Sequence, residues 1–306
     1  MTRLLMFLVL TALTTPALAT VDVVTTLPEY AAIAQEIGGN DVRTISLTKA
    51  SQDPHFIDAK PSYIVALNNA DLFILNGLEL EIGWIPTLLT QARNPRIRPG
   101  EFGHLNASQF AGKILDKPTG TIDRSMGDIH AGGNPHFSRD PARMSLVIKE
   151  ITDRLCQLEP DSCESFKANS KTLQERLSKL LKATKEKWSK LPAQTRQAVE
   201  YHKSWVYLFE TLNITVPIRI EPKPGVAPSP AHLAKVVNVV KTNNIKILLQ
   251  ETSYPSKLMS TIAKITKAQR IVVSSGPDLD RNQDYLSYVA ALMDTLYKAA
   301  TSGSAP

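Results

Sequence analysis

Apolar and polar residues follow two rhythms along this chain. Residues 21–26, Val-Asp-Val-Val-Thr-Thr, are mostly β-branched and predict a strand. Residues 28–37 predict a helix that stops at Gly38-Gly39, and residues 42–48 a second strand. A short helix over 61–69 and a buried strand over 71–77 follow. Strand, helix, strand, helix, strand is the order of a parallel α/β sheet. Residues 118–138 lack periodicity and read as a loop. Pro141 then opens a helix to about residue 158. A second helix is predicted from 161 to about 190, with Phe166, Leu173, Leu177, Leu180, Leu181 and Trp188 near helical spacing and Lys and Glu on the other faces. At about 30 residues it spans about 45 Å.

Beyond Pro192 the α/β rhythm resumes. Strands are predicted over 198–201, 216–220, 245–250 and 270–274, and helices over 205–212, 230–242, 256–267 and 283–300. Ser229-Pro230 has the pattern of an N-cap followed by proline at the first helical position. The expected fold is two α/β lobes, 20–140 and 192–306, each a parallel sheet flanked by helices. A helical segment, 141–191, joins them and contains a long rigid interlobe helix, with any site in the cleft.

Composition narrows the class. Apolar residues are 43% of the 306, enough for a sizeable core, and the net charge is only +6, so general disorder is excluded. No internal apolar run reaches the length of a membrane span. Lysines are spread among acidic neighbours, the pattern of a solvated surface and not of a nucleic-acid footprint. Residues 1–19 carry Arg3, a run of apolar residues and Ala17-Leu18-Ala19 before Thr20, which reads as a cleavable signal peptide. No cysteine follows that run, so a lipoprotein acceptor is missing. The expected compartment is an oxidising one, most simply a bacterial periplasm. There Cys156 and Cys163, flanking Pro160, can form a local disulfide.

The chemistry-bearing residues are histidines. Of six, His55 follows Asp53-Pro54 after a strand, His136 follows Asn134-Pro135 before a helix, and His202 follows Tyr201 at a strand end. Ligands of open α/β sheets gather beyond the carboxyl ends of strands, so these three imidazoles can converge in the cleft. His130, in the Gly-rich run 127–133, is a possible mobile extra ligand. His104, in a Gly-Asn-Ser loop, and His232, at a helix start, carry no such expectation.

These motifs resemble those of the metal-binding solute-binding proteins of ABC transporters, the zinc/manganese class called ZnuA- or TroA-like. The resemblance covers nearly all of the chain after residue 19. It runs through Val24-Thr25-Thr26-Leu27-Pro28, Asp53-Pro54-His55, Ala70-Asp71-Leu72 with Asn76-Gly77, Asn134-Pro135-His136-Phe137, Tyr201-His202 and Pro228-Ser229-Pro230-Ala231-His232-Leu233. The run Glu221-Pro222-Lys223-Pro224-Gly225 resembles one branch of the family. The resemblance implies a periplasmic receptor, not an enzyme. It would act as a monomer that captures Zn²⁺, or alternatively Mn²⁺ or Fe²⁺, and hands it to a permease in the inner membrane. It implies His55 and His136 as ligands from the first lobe and His202 from the second. Relatives usually add an Asp after the last strand, a position that Asp278 approximates; Glu251 and water are the alternatives. The chain departs from relatives in lacking a long His-rich loop and in having Ser138-Arg139 where Trp-Leu is common.

Three imidazoles with one carboxylate make a nitrogen-rich site suited to Zn²⁺ and not to Mg²⁺ or Ca²⁺, which take oxygen ligands. A Mn²⁺ site of this kind would trade a His for a carboxylate. Asp53, Glu251 and backbone carbonyls are the candidate acceptors that fix the histidine tautomers. A secreted zinc hydrolase is the rival reading, but H-E-x-x-H, G-x-S-x-G and Walker A motifs are all missing from the sequence.

Overall fold

In a computed structural model the protein is described over residues 20–120, 127 and 129–302. The signal-peptide reading of 1–19 lies outside the described residues. The first sheet contains β1 (Val21–Thr25), β2 (Val42–Ser46), β3 (Leu72–Leu75) and β4 (His104–Asn106), in the order β2-β1-β3-β4. Every neighbouring pair is parallel. Around it lie α1 (Pro28–Gly38), α2 (Pro61–Asn69) and α3 (Ile85–Ala92). The second sheet is β5 (Ala198–Glu200), β6 (Ile247–Glu251) and β7 (Gln269–Val273), again parallel and in that order. Between the sheets in sequence run α4 (Pro141–Leu158) and α5 (Cys163–Ser189), and α6 (Val206–Leu212), α7 (Pro230–Thr242), α8 (Ser256–Thr266) and α9 (Tyr285–Thr301) complete the second half.

The buried stripe of α5 is Phe166, Ser170, Leu173, Leu177, Thr184 and Trp188. Each large apolar member contributes about 1.5–3 kcal/mol by leaving water. This 27-residue helix is about 40 Å long. It packs on α4, α1, α6 and α9. One apolar cluster, including Val23, Leu105, Ile148, Leu177, Leu249 and Leu296, is therefore continuous from the first sheet to the second. Smaller clusters, with Phe73 and Trp84 on one side and Leu248 and Met259 on the other, cover the remaining sheet faces. A shared core behind the cleft opposes wide separation of the two halves. The Cys156–Cys163 disulfide ties the end of α4 to the start of α5, with the Cα atoms 4.4 Å apart. Among the described residues, no helix is long and apolar enough to cross a membrane.

Two local differences from the sequence reading matter. Residues 216–220 do not form a regular strand, although their backbone runs beside β5. Ala198 donates to Thr215 O at 3.0 Å, Ile220 to Glu200 O at 3.0 Å and Glu221 to Tyr201 O at 3.1 Å. Pro217 has no N–H to give, so the ladder is interrupted. His104 lies in the short edge strand β4 and not in a loop. Its Nδ1 is bonded to Ile97 O at 2.8 Å, which accounts for it structurally.

Candidate metal centre

Parallel register puts the carboxyl ends of the strands on one side of each sheet, and the three histidines stand beyond them. His55 lies in the loop after β2. Asp53 shapes that loop: its Oδ1 accepts the His55 backbone N–H at 3.0 Å and faces His55 Nδ1 at 2.7 Å. Trp84 Nε1–H clamps the loop by donating to Pro54 O at 2.9 Å. His136 uses the same device, since Asn134 Oδ1 accepts its backbone N–H at 2.9 Å. D-P-H and N-P-H are thus one local structure, in which a side chain two residues earlier turns the backbone and presents the ring.

Asn134 also donates through Nδ2 to Lys203 O at 2.8 Å, so it fixes the His136 segment against the His202 segment. From the first sheet, Asn76 Nδ2 donates to Pro135 O at 2.8 Å. The neighbouring Gly77 has φ +85°, and a Cβ there would meet Asn106 Oδ1 at 2.0 Å, so only glycine suits this turn. His202 sits directly beyond β5. Its Nδ1 is 2.7 Å from Glu221 Oε2, and its ring stacks on Tyr254 with centroids 6.0 Å apart. Glu221 reaches it because the interrupted segment runs alongside β5.

The result is a buried cluster in which one ligand-capable atom of each of His55, His136 and His202 lies within 4.8 Å of the others. The Nε2 atoms of His136 and His202 are 3.3 Å apart, and the rings of His55 and His136 are separated by 5.1 Å. Burial, reinforced by the positive charge of Arg139, holds the His136 pKa well below the ordinary imidazole range. This ring is therefore neutral and ready to donate a lone pair. Burial acts the same way on His202, but the hydrogen bond and charge of Glu221 outweigh it and raise the pKa. Burial alone would raise Asp53, yet its hydrogen bond to His55 leaves it lowered and ionised.

The structure does not bring Asp278 to this cluster. After β7 the chain turns so that Asp278 precedes a short 3-10 turn, Leu279–Arg281, and faces Arg281 at 3.4 Å. It lines a separate depression with Lys49, Ser51 and Thr252. Glu251, at the end of β6, commits one of its two oxygens elsewhere, while its buried Oε2 has no hydrogen-bond partner among the described residues. Its Oε1 accepts from Arg139 Nη1 at 3.0 Å, and both side chains are buried. Arg139 stacks over the Trp205 ring at 4.8 Å, while Ser138 Oγ donates to Glu29 Oε1 at 2.9 Å. Ser138-Arg139, the departure noted in the sequence, therefore builds a second buried polar cluster against the first. Glu221 is the functional residue that sequence reasoning missed as a partner of His202. His130 lies at the rim, its Nε2 3.3 Å from that of His55. It shares with His136 and His202 a cavity of about 200 Å³.

Known proteins match this chain along most of its length. The iron-binding protein YfeA of Yersinia pestis is 24% identical over 291 residues, covering 90% of this chain and 85% of the relative. The metal ABC transporter substrate-binding lipoprotein ScbA of Streptococcus cristatus is 24% identical over 251 residues, or 80% and 76% of the two chains. A crystal structure of ZnuA superposes with a TM-score of 0.75 at 23% identity, over 92% of this chain and 99% of that one, which shows the shared fold. Residues 23–299 match the family model described as ZnuA, zinc-uptake complex component A, periplasmic. The chain belongs to this family of metal-binding substrate receptors for ABC transport, which are not enzymes.

Proposed function

We propose that this chain is a periplasmic Zn²⁺ receptor whose cargo is held by His55, His136 and His202 and passed to an ABC permease. The observation that carries the reading is the convergence of three buried ring nitrogens, one each from His55, His136 and His202, within 4.8 Å of one another. A tetrahedron with corners about 2.0–2.1 Å from a zinc ion has edges of about 3.3–3.4 Å. The 3.3 Å between His136 and His202 Nε2 is such an edge. Asp53 and Glu221 accept at the Nδ1 atoms of two of the rings, leaving each Nε2 lone pair to face inward. Their two negative charges offset the two positive charges of the ion.

The donor set favours zinc over manganese or iron, since among the described residues the cluster is made of imidazoles, which are borderline-soft ligands. Geometry does not exclude Cu²⁺ or Ni²⁺, so discrimination against them depends on availability. The disulfide and the family's periplasmic description support a compartment outside the cytoplasm. The name of YfeA favours iron as the second reading. Metal competition on apo protein decides between them. Zn²⁺ is expected to bind one per chain and to resist a large excess of Mn²⁺ or Fe²⁺. Preferential retention of either competitor contradicts the zinc assignment, and no binding of any of the three contradicts the receptor reading.

A further inference from the structure

We propose that the groove between α4 and α5 is a docking site for an acidic, extended segment of a partner protein. The inference stands apart from the metal site, since the groove shares no lining residue with the cavity beside His136 and His202.

The groove encloses about 760 Å³ between the two helices. Five lysines line it, Lys149 from α4 and Lys167, Lys171, Lys179 and Lys182 from α5. Two carboxylates stand among them, Asp153 and Glu175. The excess of three positive charges is half of the chain's net +6. Along the sequence the lysines of α5 alternate with acidic neighbours, but folding separates the two, because Glu164 and Glu186 do not line the groove. Lys167 reaches back to Glu164 at 3.0 Å. Among the described residues Lys149, Lys171, Lys179 and Lys182 form no ion pair within the chain. Like charges gathered on one surface repel one another and are balanced by an anionic partner.

Shape selects the kind of anion. The floor is polar: the buried hydroxyls of Thr152 and Ser170 meet at 2.7 Å, and Gln174 Nε2 donates to Ser170 Oγ at 3.2 Å. From Lys167 to Lys182 the helix rises about 22 Å, the reach of about seven residues of extended chain. Residues four apart on a helix, such as Lys167 and Lys171, are separated by about 6 Å along its axis, and alternate side chains of an extended segment by about 6.6 Å. Carboxylates at every second position of such a segment therefore meet the ammonium groups on either side of Glu175. A flat bilayer does not enter a concave groove. The Cys156–Cys163 disulfide joins α4 to α5 about one turn from Asp153 and Lys167, so the groove is formed before a partner arrives and little ordering remains to oppose binding.

The test uses a fluorescent octapeptide of alternating Glu and Ser, titrated at low salt into the full-length protein, with an alternating Lys-Ser octapeptide as control. Carbodiimide coupling followed by mass spectrometry then maps which lysines join the peptide carboxylates. The proposal expects saturable one-to-one binding of the acidic peptide, none of the basic one, and coupling concentrated on Lys149, Lys171, Lys179 and Lys182. Combined Lys171→Glu, Lys179→Glu and Lys182→Glu should weaken binding by about 10-fold or more, and the same reversal at Lys241, Lys257 and Lys264 by no more than about twofold. Absence of binding overturns the proposal, as do coupling spread evenly over the surface lysines and equal losses in the two triple variants. Vesicles of phosphatidylglycerol are run in parallel. A groove reversal that releases the vesicles and leaves peptide binding unchanged also overturns it, in favour of a lipid surface. The coupling map is read on the wild type, so it decides the matter whether or not the variants fold.

Discussion

Two buried polar clusters lie side by side in this cleft and solve the problem of burial in opposite ways. The lower one is neutralised from within: Arg139 faces Glu251, and burial raises the Glu29 pKa towards the uncharged acid. The upper one, His55, His136 and His202, converges lone pairs and surrounds them with the carboxylates of Asp53 and Glu221. The 3-10 turn His136–Arg139 supplies a ring to the upper cluster and a guanidinium to the lower. The lower cluster carries its own cation in Arg139, whereas under the proposed function the captured ion supplies the charge that balances Asp53 and Glu221 in the upper.

The contrast breaks most completely at a ligand. His136→Ala should weaken zinc binding by about 1,000-fold, or about 4 kcal/mol, with little change in apo stability, as read by chelator competition and thermal melting. The converse variant, Arg139→Met, leaves Glu251 buried without its cation. It should cost about 3 kcal/mol in denaturant unfolding while the purified folded protein still takes up one zinc. If Arg139→Met abolished zinc binding without loss of stability, the two clusters would not be separable as described.

A finer cut is Glu221→Gln, expected to lower zinc affinity by about 10–100-fold. Because Glu221 raises the His202 pKa, zinc must displace a proton held to higher pH than usual. Affinity should therefore fall as pH drops through that raised value, and the midpoint of the profile should move to lower pH in Glu221→Gln. In the empty protein the sign reverses. The His202–Glu221 pair stabilises the fold fully below the ordinary imidazole value of about 6.5, and that contribution is lost as pH rises through the raised folded value.

The smallest effect concerns the residue that follows the shared turn. Asp140 caps α4 by accepting from Ala142 N–H, and burial pushes its pKa from 3.8 up to about 6. Ionised above that value, it weakens the fold, and stability should recover as pH falls from about 6 towards about 4. Asp140→Asn keeps a capping oxygen and should add about 1–2 kcal/mol at pH 7, measured by denaturant unfolding, and nothing near pH 4.

How far the sequence reveals this site depends on distance along the chain. D-P-H and N-P-H are local devices whose side-chain caps act two residues away, so His55 and His136 could be read directly, while Asp53 was one of three candidate partners until the structure placed it at His55 Nδ1. The α/β rhythm likewise marks both sheets, because the inner strands β1, β3 and β6 are largely buried runs, while the outer strands β2 and β7 are partly exposed but rich in β-branched residues. Glu221 could not be read as the partner of His202, since a segment interrupted at Pro217 has no legible register against β5. Arg139 is legible only as a departure from relatives until the fold places Glu251 opposite it. Asp278 was expected at the site from its order after the last strand, but order does not fix the direction of the turn, and the residue lines a separate depression with Lys49 and Thr252. The three-residue strand β4 and the helix α3 are too short or too weakly patterned to register.

The most direct test of the central claim is equilibrium dialysis of apo protein against zinc, comparing the wild type with a variant carrying alanine at positions 55, 136 and 202. The account predicts one tightly held zinc per wild-type chain and none in the triple variant, with both proteins folded by circular dichroism. Equal retention by the two would contradict it.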